Sequence, residues 1–548
     1  MLDNTGHVKD GDASPRVAPQ HTGTPGKVAN RQIAVSVDAV ITSRFPARLR
    51  DLARLAKFRR RIVPASSPVR CAAALTIPAE GLPAGGAALF GQAHCLGKRN
   101  IPELRTGLTG VTPALYGLWT EPYTFGGDMV SGEALDSAVD ALAEEAFAFL
   151  ERLVAAPSTV GHEAEVCDVF GAELAATGFD VEFLPIPEEI VSDPLAGVGQ
   201  TSYAGRANVL GRRGHGDGPS LLLNGHLDVV PADTPDLWSS PPFQPARRDG
   251  RLYGRGAGDM KCGFAMGVLA VRALDTVAPG FDTGRLMFLG AIEEECTGNG
   301  TLSASRAGVL ADAAVVLEPT DLGILSGGVG VIWLDVRVVG RSAHAESAHM
   351  AVNPVDLCGV LTEGLREWCE RLPQEAPDEA FAELASPYNL NVGGISAGDW
   401  HSSVPTDAVL RLRVGFPRSW SPGEAEQRIR AAIEDIAARD GRFPSKPVVT
   451  ASGFRASGYA LADGHPLIAA MAGAHREVHG ADPRRFVMGT TTDARFYVND
   501  FDVPALCYGP QVYDMHGIDE SVELSSIVDG AKALARFIHH WFERRHRG

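Results

Sequence analysis

Three short apolar runs, 221–223 (LLL), 286–289 (LMFL) and 313–317 (AAVVL), each stop at a polar or glycine residue. A strand that is apolar at every position must be covered on both faces, which is the condition of an inner strand of an α/β sheet. Helical patterns lie around these runs. Residues 134–155 repeat Leu135, Val139, Leu142, Ala146, Leu150 and Leu153 on one face, and 257–274 follow a Gly-rich turn. Strands alternating with helices predict a mostly parallel sheet.

The pattern then changes. Residues 329–339 (VGVIWLDVRVV) and 409–414 (VLRLRV) alternate like half-exposed strands, and 354–371 and 423–438 carry helical spacing. This predicts a smaller α+β unit over 327–455, inserted into an α/β domain formed by 129–326 and 456–548 and closed by a helix over 526–544. The composition, 45% hydrophobic and 21% charged in 548 residues, is that of a globular chain. No window reaches the ~18 apolar residues that a membrane span requires.

Charge divides the chain. Residues 1–128 hold 16 Lys and Arg against 9 Asp and Glu, while the remainder is strongly acidic within a total of -17. The first 128 residues read as a basic extension, disordered or untranslated. Within it, 44–61 interleaves basic residues with Phe45, Leu49, Leu52, Leu55 and Phe58. That spacing fits either a membrane-surface or targeting helix or a disordered leader. No methionine lies between Met1 and Met129, so Met129 is a candidate translation start and the extension is expected to be dispensable. An acidic body argues against nucleic acid as partner. Eight scattered cysteines without a C-x-x-C pair argue against a zinc ribbon or disulfide framework and for a reducing, cytoplasmic setting.

The residues that carry chemistry follow the predicted strands. Asn224-Gly225-His226-Leu227-Asp228 follows the first run, Glu293-Glu294-Glu295 the second and Glu318-Pro319 the third. Gly254-Arg255-Gly256-Ala257-Gly258-Asp259 opens a helix, and Met515-His516-Gly517 comes late in the chain. Strand carboxyl ends are where sites form in open α/β sheets, and two His with several carboxylates suit zinc or another divalent metal. A phosphate-binding loop is excluded, because neither G-x-G-x-x-G nor the P-loop spacing occurs.

Taken in order, G-H-x-D-V-V-P, Trp238, Pro242-Phe243, D-G-R-L-Y-G-R-G-x-x-D-M-K, the Glu pair, Glu318-Pro319, T-D-A-R and the late His resemble one family. It is the dinuclear metallopeptidases and amidohydrolases of acetylornithine deacetylase, succinyl-diaminopimelate desuccinylase, aminoacylase and glutamate carboxypeptidase. The resemblance covers about 133–543. It implies a zinc-peptidase-like catalytic domain interrupted by a lid and dimerisation domain over 327–455. It implies two divalent ions, zinc with cobalt or manganese as alternatives. His226 would bind one ion, His516 the other, Asp259 both, and Glu295 and Glu318 one each. Glu294 would be the general base, and Asp228 would orient His226. Gly340-Arg341-Ser342-Ala343-His344 matches the family's G-x-x-x-H, whose His stabilises the developing oxyanion, often across a dimer. Arg495, in Thr492-Asp493-Ala494-Arg495, falls where an arginine binds a substrate carboxylate, with a structural ion pair as the alternative.

The chain also departs from the family. Counted from Pro405, the positions of a usual carboxylate-binding Asn and Arg are Ser402 and Gly415. The string Gly398-Asp399-Trp400-His401-Ser402-Ser403 looks more like a deacylase subgroup that includes a formylaminopyrimidine deformylase. Trp400 and His401 would there contact substrate or simply pack the lid. The expected activity is hydrolysis of a linear amide, an N-acetyl, N-formyl or N-succinyl amino acid or small amine. A dipeptidase or carboxypeptidase is the alternative, and a non-catalytic metal-binding scaffold the remote one. The expected partner is a small-molecule amide, with a homodimer through the lid and neither nucleic acid nor membrane.

Overall fold

The computed structural model describes residues 131–215, 218–280 and 284–543. The basic extension, its 44–61 stretch and the Met129 start lie outside these residues.

The three apolar runs are strands Ser220–His226, Arg285–Ala291 and Ala314–Val316, buried throughout except at Arg285. Their apolar continuity has a direct cause. Leu221 and Leu223 enter the core on one side of the sheet, with Phe170, Phe264 and Phe288, while Leu222 enters the core on the other side, with Met287, Leu289 and Tyr497. The first side is covered by helices Gly132–Ala155, Lys261–Val277 and Leu524–Glu543.

At the centre of the sheet the order is Arg285–Ala291, Ser220–His226, Ala314–Val316 and Ala505–Cys507, all parallel. The flanks are not parallel. Asp180–Pro185 and Ala207–Arg213 join antiparallel on one side, and Ile324–Gly328 and Tyr459–Ala460 on the other, where Arg485–Met488 also pairs in parallel. The sheet is therefore parallel at its centre, as expected, and mixed across its full width. A parallel return usually runs through a crossover helix, whereas the link from Asp180–Pro185 to Ala207–Arg213 contains only the turn Glu188–Ser192.

The alternating segments build a second sheet, antiparallel throughout, in the order Leu390–Ala397, Asp407–Phe416, Gly330–Val339 and Val448–Ala456. Helices Pro354–Glu375 and Pro422–Asp440 cover one face, packing Leu357, Leu361, Ile429 and Ile433 against Ile332, Leu334, Val336 and Leu410. The alternate residues Trp333, Asp335, Arg411 and Arg413 lie on the other face and line a cavity. A third, small sheet pairs Val512–Tyr513, Ser521–Glu523, Arg251–Tyr253 and Ala246–Arg248. It ties the His516 turn to the Gly254–Asp259 loop. No helix among the described residues is long and apolar enough to cross a membrane.

Candidate metal centre

The parallel strands share one direction, so the residues that follow them gather at one edge. There Asp259 stands between two imidazoles. His226 Nε2 lies 3.1 Å from Asp259 Oδ1, and His516 Nε2 lies 3.0 Å from Asp259 Oδ2. Glu318 Oε2 is 3.9 Å from His226 Nε2, and Glu295 Oε2 is 3.2 Å from His516 Nε2. Two trios result, His226–Asp259–Glu318 and Asp259–Glu295–His516, each compact enough to hold a cation and sharing Asp259.

The scaffold beneath these residues is as specific as the residues themselves. Asp228 turns its carbonyl oxygen, not its carboxylate, to His226 Nδ1 at 2.8 Å. Its carboxylate instead accepts the backbone amides of Glu294 (3.2 Å) and Glu295 (3.1 Å). The expected orienting role for Asp228 is thus refined: it orients His226 through its main chain and the two Glu through its side chain. The three consecutive Glu have three surroundings. Glu293, at φ +67°, turns inward, where Tyr203 and Arg206 donate to it at 2.5 Å and Thr297 at 2.8 Å. Glu294 and Glu295 line the cavity.

Glu520, not singled out in the sequence, holds the Asp259 loop. Its Oε1 accepts the amides of Gly256 (3.0 Å), Gly258 (2.8 Å) and Asp259 (2.9 Å). Its other oxygen pairs with Arg255, which also donates to the carbonyl oxygens of His516 and Gly517. At φ +82°, a Cβ on Gly256 would come within 2.6 Å of Val229, so the loop requires glycine there. The signal for Glu520 was an acidic residue four positions after His516 in a turn-forming stretch.

The donor set fits divalent cations. A carbonyl oxygen only accepts, so His226 carries its proton on Nδ1, and a neutral ring then points its Nε2 lone pair at two carboxylates. Acceptor faces acceptor unless a proton or a cation lies between. Glu295 Oε1 is buried without any hydrogen-bond partner, a costly state that a cation would relieve. Burial drives the Glu318 carboxyl up to about 8 and the Asp228 carboxyl to about 7. Burial opposes protonation of His516, but its bonds to Asp259 and Glu295 raise it to about 11. His226 is likewise raised, against burial, by its bond to Asp259 and by nearby carboxylates.

A cavity of about 640 Å³ opens beside the trios, lined by Glu294, Glu295, Glu318 and His516 and by the inner face of the smaller sheet. Not every expected residue reaches it. Arg495 is 2% exposed and donates to Thr492 O, Thr297 O and Asp493 Oδ1. A buried guanidinium committed to a neighbouring carboxylate and two carbonyls is not presented to substrate, so Arg495 takes the structural alternative. Within its own chain His344 is exposed and outside the cavity, its Nδ1 accepting from the Glu346 amide at 3.2 Å. Trp400 is 70% exposed at a loop tip, and neither it nor His401 lines the cavity. Trp333, Phe454, Arg413 and Thr491 do line it. Their sequence signal was only a Trp on the supposedly solvated face of an alternating strand.

A family model described as Peptidase family M20/M25/M40 matches residues 222–540. Among solved structures, a di-peptidase from Saccharomyces cerevisiae is similar at 17% identity and TM-score 0.61, covering 76% of this chain and 99% of its own. Human carnosine dipeptidase 1 is similar at 18% identity and TM-score 0.61, covering 75% and 99%. A metallo-carboxypeptidase from Sulfolobus solfataricus is similar at 16% identity and TM-score 0.56, covering 73% and 99%. At these identities the likeness is one of fold.

Replacing Glu520 with Ala is expected to weaken zinc binding roughly 10–100-fold although Glu520 is in neither trio. Unchanged affinity by competition with a chromophoric chelator would show that the loop stands without it. Their carboxylate partners favour the protonated form of both imidazoles in the metal-free protein, and each must be neutral to bind a cation. Zinc loading should therefore release roughly two or more protons per chain, and affinity should fall as pH is lowered. Loading in weak buffer with a pH indicator checks this, and no proton release would contradict the raised imidazole values.

Proposed function

Because the chain belongs to peptidase family M20/M25/M40 and is a metal-dependent amidohydrolase, we propose that it cleaves the linear amide of an N-acyl amino acid or small amine. The acyl group is an acetyl, formyl or succinyl group. The observation that carries this reading is Asp259 set between His226 and His516, each imidazole backed by a further carboxylate. His226, Asp259 and Glu318 would hold one divalent ion and Asp259, Glu295 and His516 the other, zinc in the first place and cobalt or manganese as substitutes. Bound divalent ions supply Lewis acidity and lower the pKa of water at the site. Glu294 is a carboxylate in the cavity that belongs to neither trio. It takes the proton of the attacking water and returns it to the departing nitrogen. The free cysteines, six of them buried among the described residues, support a reducing, cytoplasmic setting.

A dipeptide offers the same bond. The dipeptidase and carboxypeptidase names of similarly folded proteins favour it as a second reading. We also propose a homodimer through the 327–455 unit, with His344 acting in the partner's cavity, since its own chain leaves it exposed and outside the cavity.

Exhaustive chelation should abolish amide hydrolysis and zinc restore it. Glu294→Ala should keep two metals per chain by elemental analysis yet lose on the order of 10³-fold in turnover. Activity that survives chelation, or full turnover in the variant, would refute the respective assignment. Mixing His344→Ala and Glu294→Ala chains should regain part of the wild-type rate in the mixed dimer. No recovery would place His344 outside the reaction.

A further inference from the structure

Consecutive residues of an extended chain point to opposite sides. Yet Glu294 and Glu295 both line the cavity, while Glu293 just before them is wholly buried. The cause is a change of backbone direction. Strand Arg285–Ala291 has ended, and Glu293 takes φ +67°, a left-handed conformation that residues with a side chain rarely adopt. Glycine would hold it without strain. That a glutamate stands there needs a reason, and its hydrogen bonds supply one.

Glu293 closes the turn through its main chain and its side chain. Its carbonyl oxygen accepts the amides of Thr297 (3.0 Å) and Gly298 (2.7 Å), so that Glu294 and Glu295 lie within a loop closed on Glu293. Its Oε2 accepts the hydroxyls of Tyr203 (2.5 Å) and Thr297 (2.8 Å), and its Oε1 accepts Arg206 Nη1 at 2.5 Å. Tyr203 and Arg206 come from 90 and 87 positions earlier in the chain. Each is held in turn: Arg206 donates to Glu163 at 3.1 and 2.5 Å, and the Tyr203 oxygen accepts from Asn299 at 2.8 Å. Apolar residues of like volume often replace buried charges without loss of stability, so packing alone does not account for this group. On the other side of the turn, the Asp228 carboxylate accepts the amides of Glu294 and Glu295. The segment is thus gripped between two carboxylates, neither of which belongs to a trio.

We propose that Glu293 is a positioning residue of the centre: with Tyr203 and Arg206 it fixes the turn in the conformation that aims Glu294 and Glu295 together into the cavity. The inference rests on the amide-hydrolase reading for what Glu294 does, but not for the hold on Glu295. Glu295 belongs to the trio of His516 and not to that of His226, so a loosened turn is felt at one cation rather than at both.

The test is zinc binding by the full chain, followed by competition with a chromophoric chelator. Glu293→Gly suits the backbone of the turn and leaves Arg206 paired with Glu163, but removes the anchor. One of its two zinc ions is expected to bind roughly 10–100-fold more weakly, and the other as in the unaltered chain. Glu293→Gln, which keeps the length and an acceptor for Arg206, should recover most of the loss. Tyr203→Phe removes one hydroxyl and should loosen the same ion by roughly 5–10-fold, the worth of one hydrogen bond to a charged group. Adding Glu293→Gly to Glu295→Ala should weaken zinc no further. Circular dichroism and thermal melting report the fold, and should Glu293→Gly fail to fold, Tyr203→Phe decides. Both ions loosened alike, neither loosened, or a Gln variant as impaired as the Gly variant would make the network a merely structural one and overturn the inference. Turnover of N-acetyl-L-alanine at saturating zinc is scored separately: in Glu293→Gly, kcat should fall roughly tenfold or more with KM little changed. An unchanged kcat would overturn the part that concerns Glu294. Selective loosening of one zinc ion in a protein that hydrolyses no amide would sink the hydrolase reading and leave the anchor standing.

Discussion

The Asp259 carboxylate, with one imidazole on each oxygen, is the interaction on which the rest of the centre depends. A single carboxylate can serve two cations only if its plane and its distance from both rings are set in advance. Here this is done from below by another carboxylate. Glu520 gathers three amides of the Asp259 loop, and Arg255 links it to the main chain at His516. The loop of Asp259 and the turn of His516 are therefore one body, although 257 residues separate the two side chains in sequence.

Acidic groups concentrated in a buried place repel one another, and the fold answers each in a different way. Glu293 is neutralised by Arg206 and Tyr203, Asp228 is satisfied by two backbone amides, and Glu520 is paired with Arg255. What remains unanswered by the protein is the set around Asp259, including the orphaned oxygen of Glu295. The deficit of positive charge around Asp259 lies where a cation would bind.

The smaller sheet shows how one strand serves both stability and recognition. Ile332, Leu334 and Val336 fasten it to its two helices. Trp333 and Asp335, on the opposite face, look into the cavity beside the two trios.

The sequence by itself determined the parts set by local periodicity and by residue type next to a strand end. Fully apolar runs specified inner strands because both faces needed covering. The ligand-type residues following them were placed at one edge because parallel strands share a direction. It could not determine the flanks of the sheet, which turned antiparallel where the connection held no crossover helix. It could not tell that Arg495 would be buried on Asp493, nor that Asp228 would work through its carbonyl. Only the tertiary structure decided the Glu520 clamp and the cavity face of the smaller sheet. Each joins segments far apart in the chain, and a residue's spare hydrogen-bonding capacity or missing counter-ion exists only once its neighbours are in place.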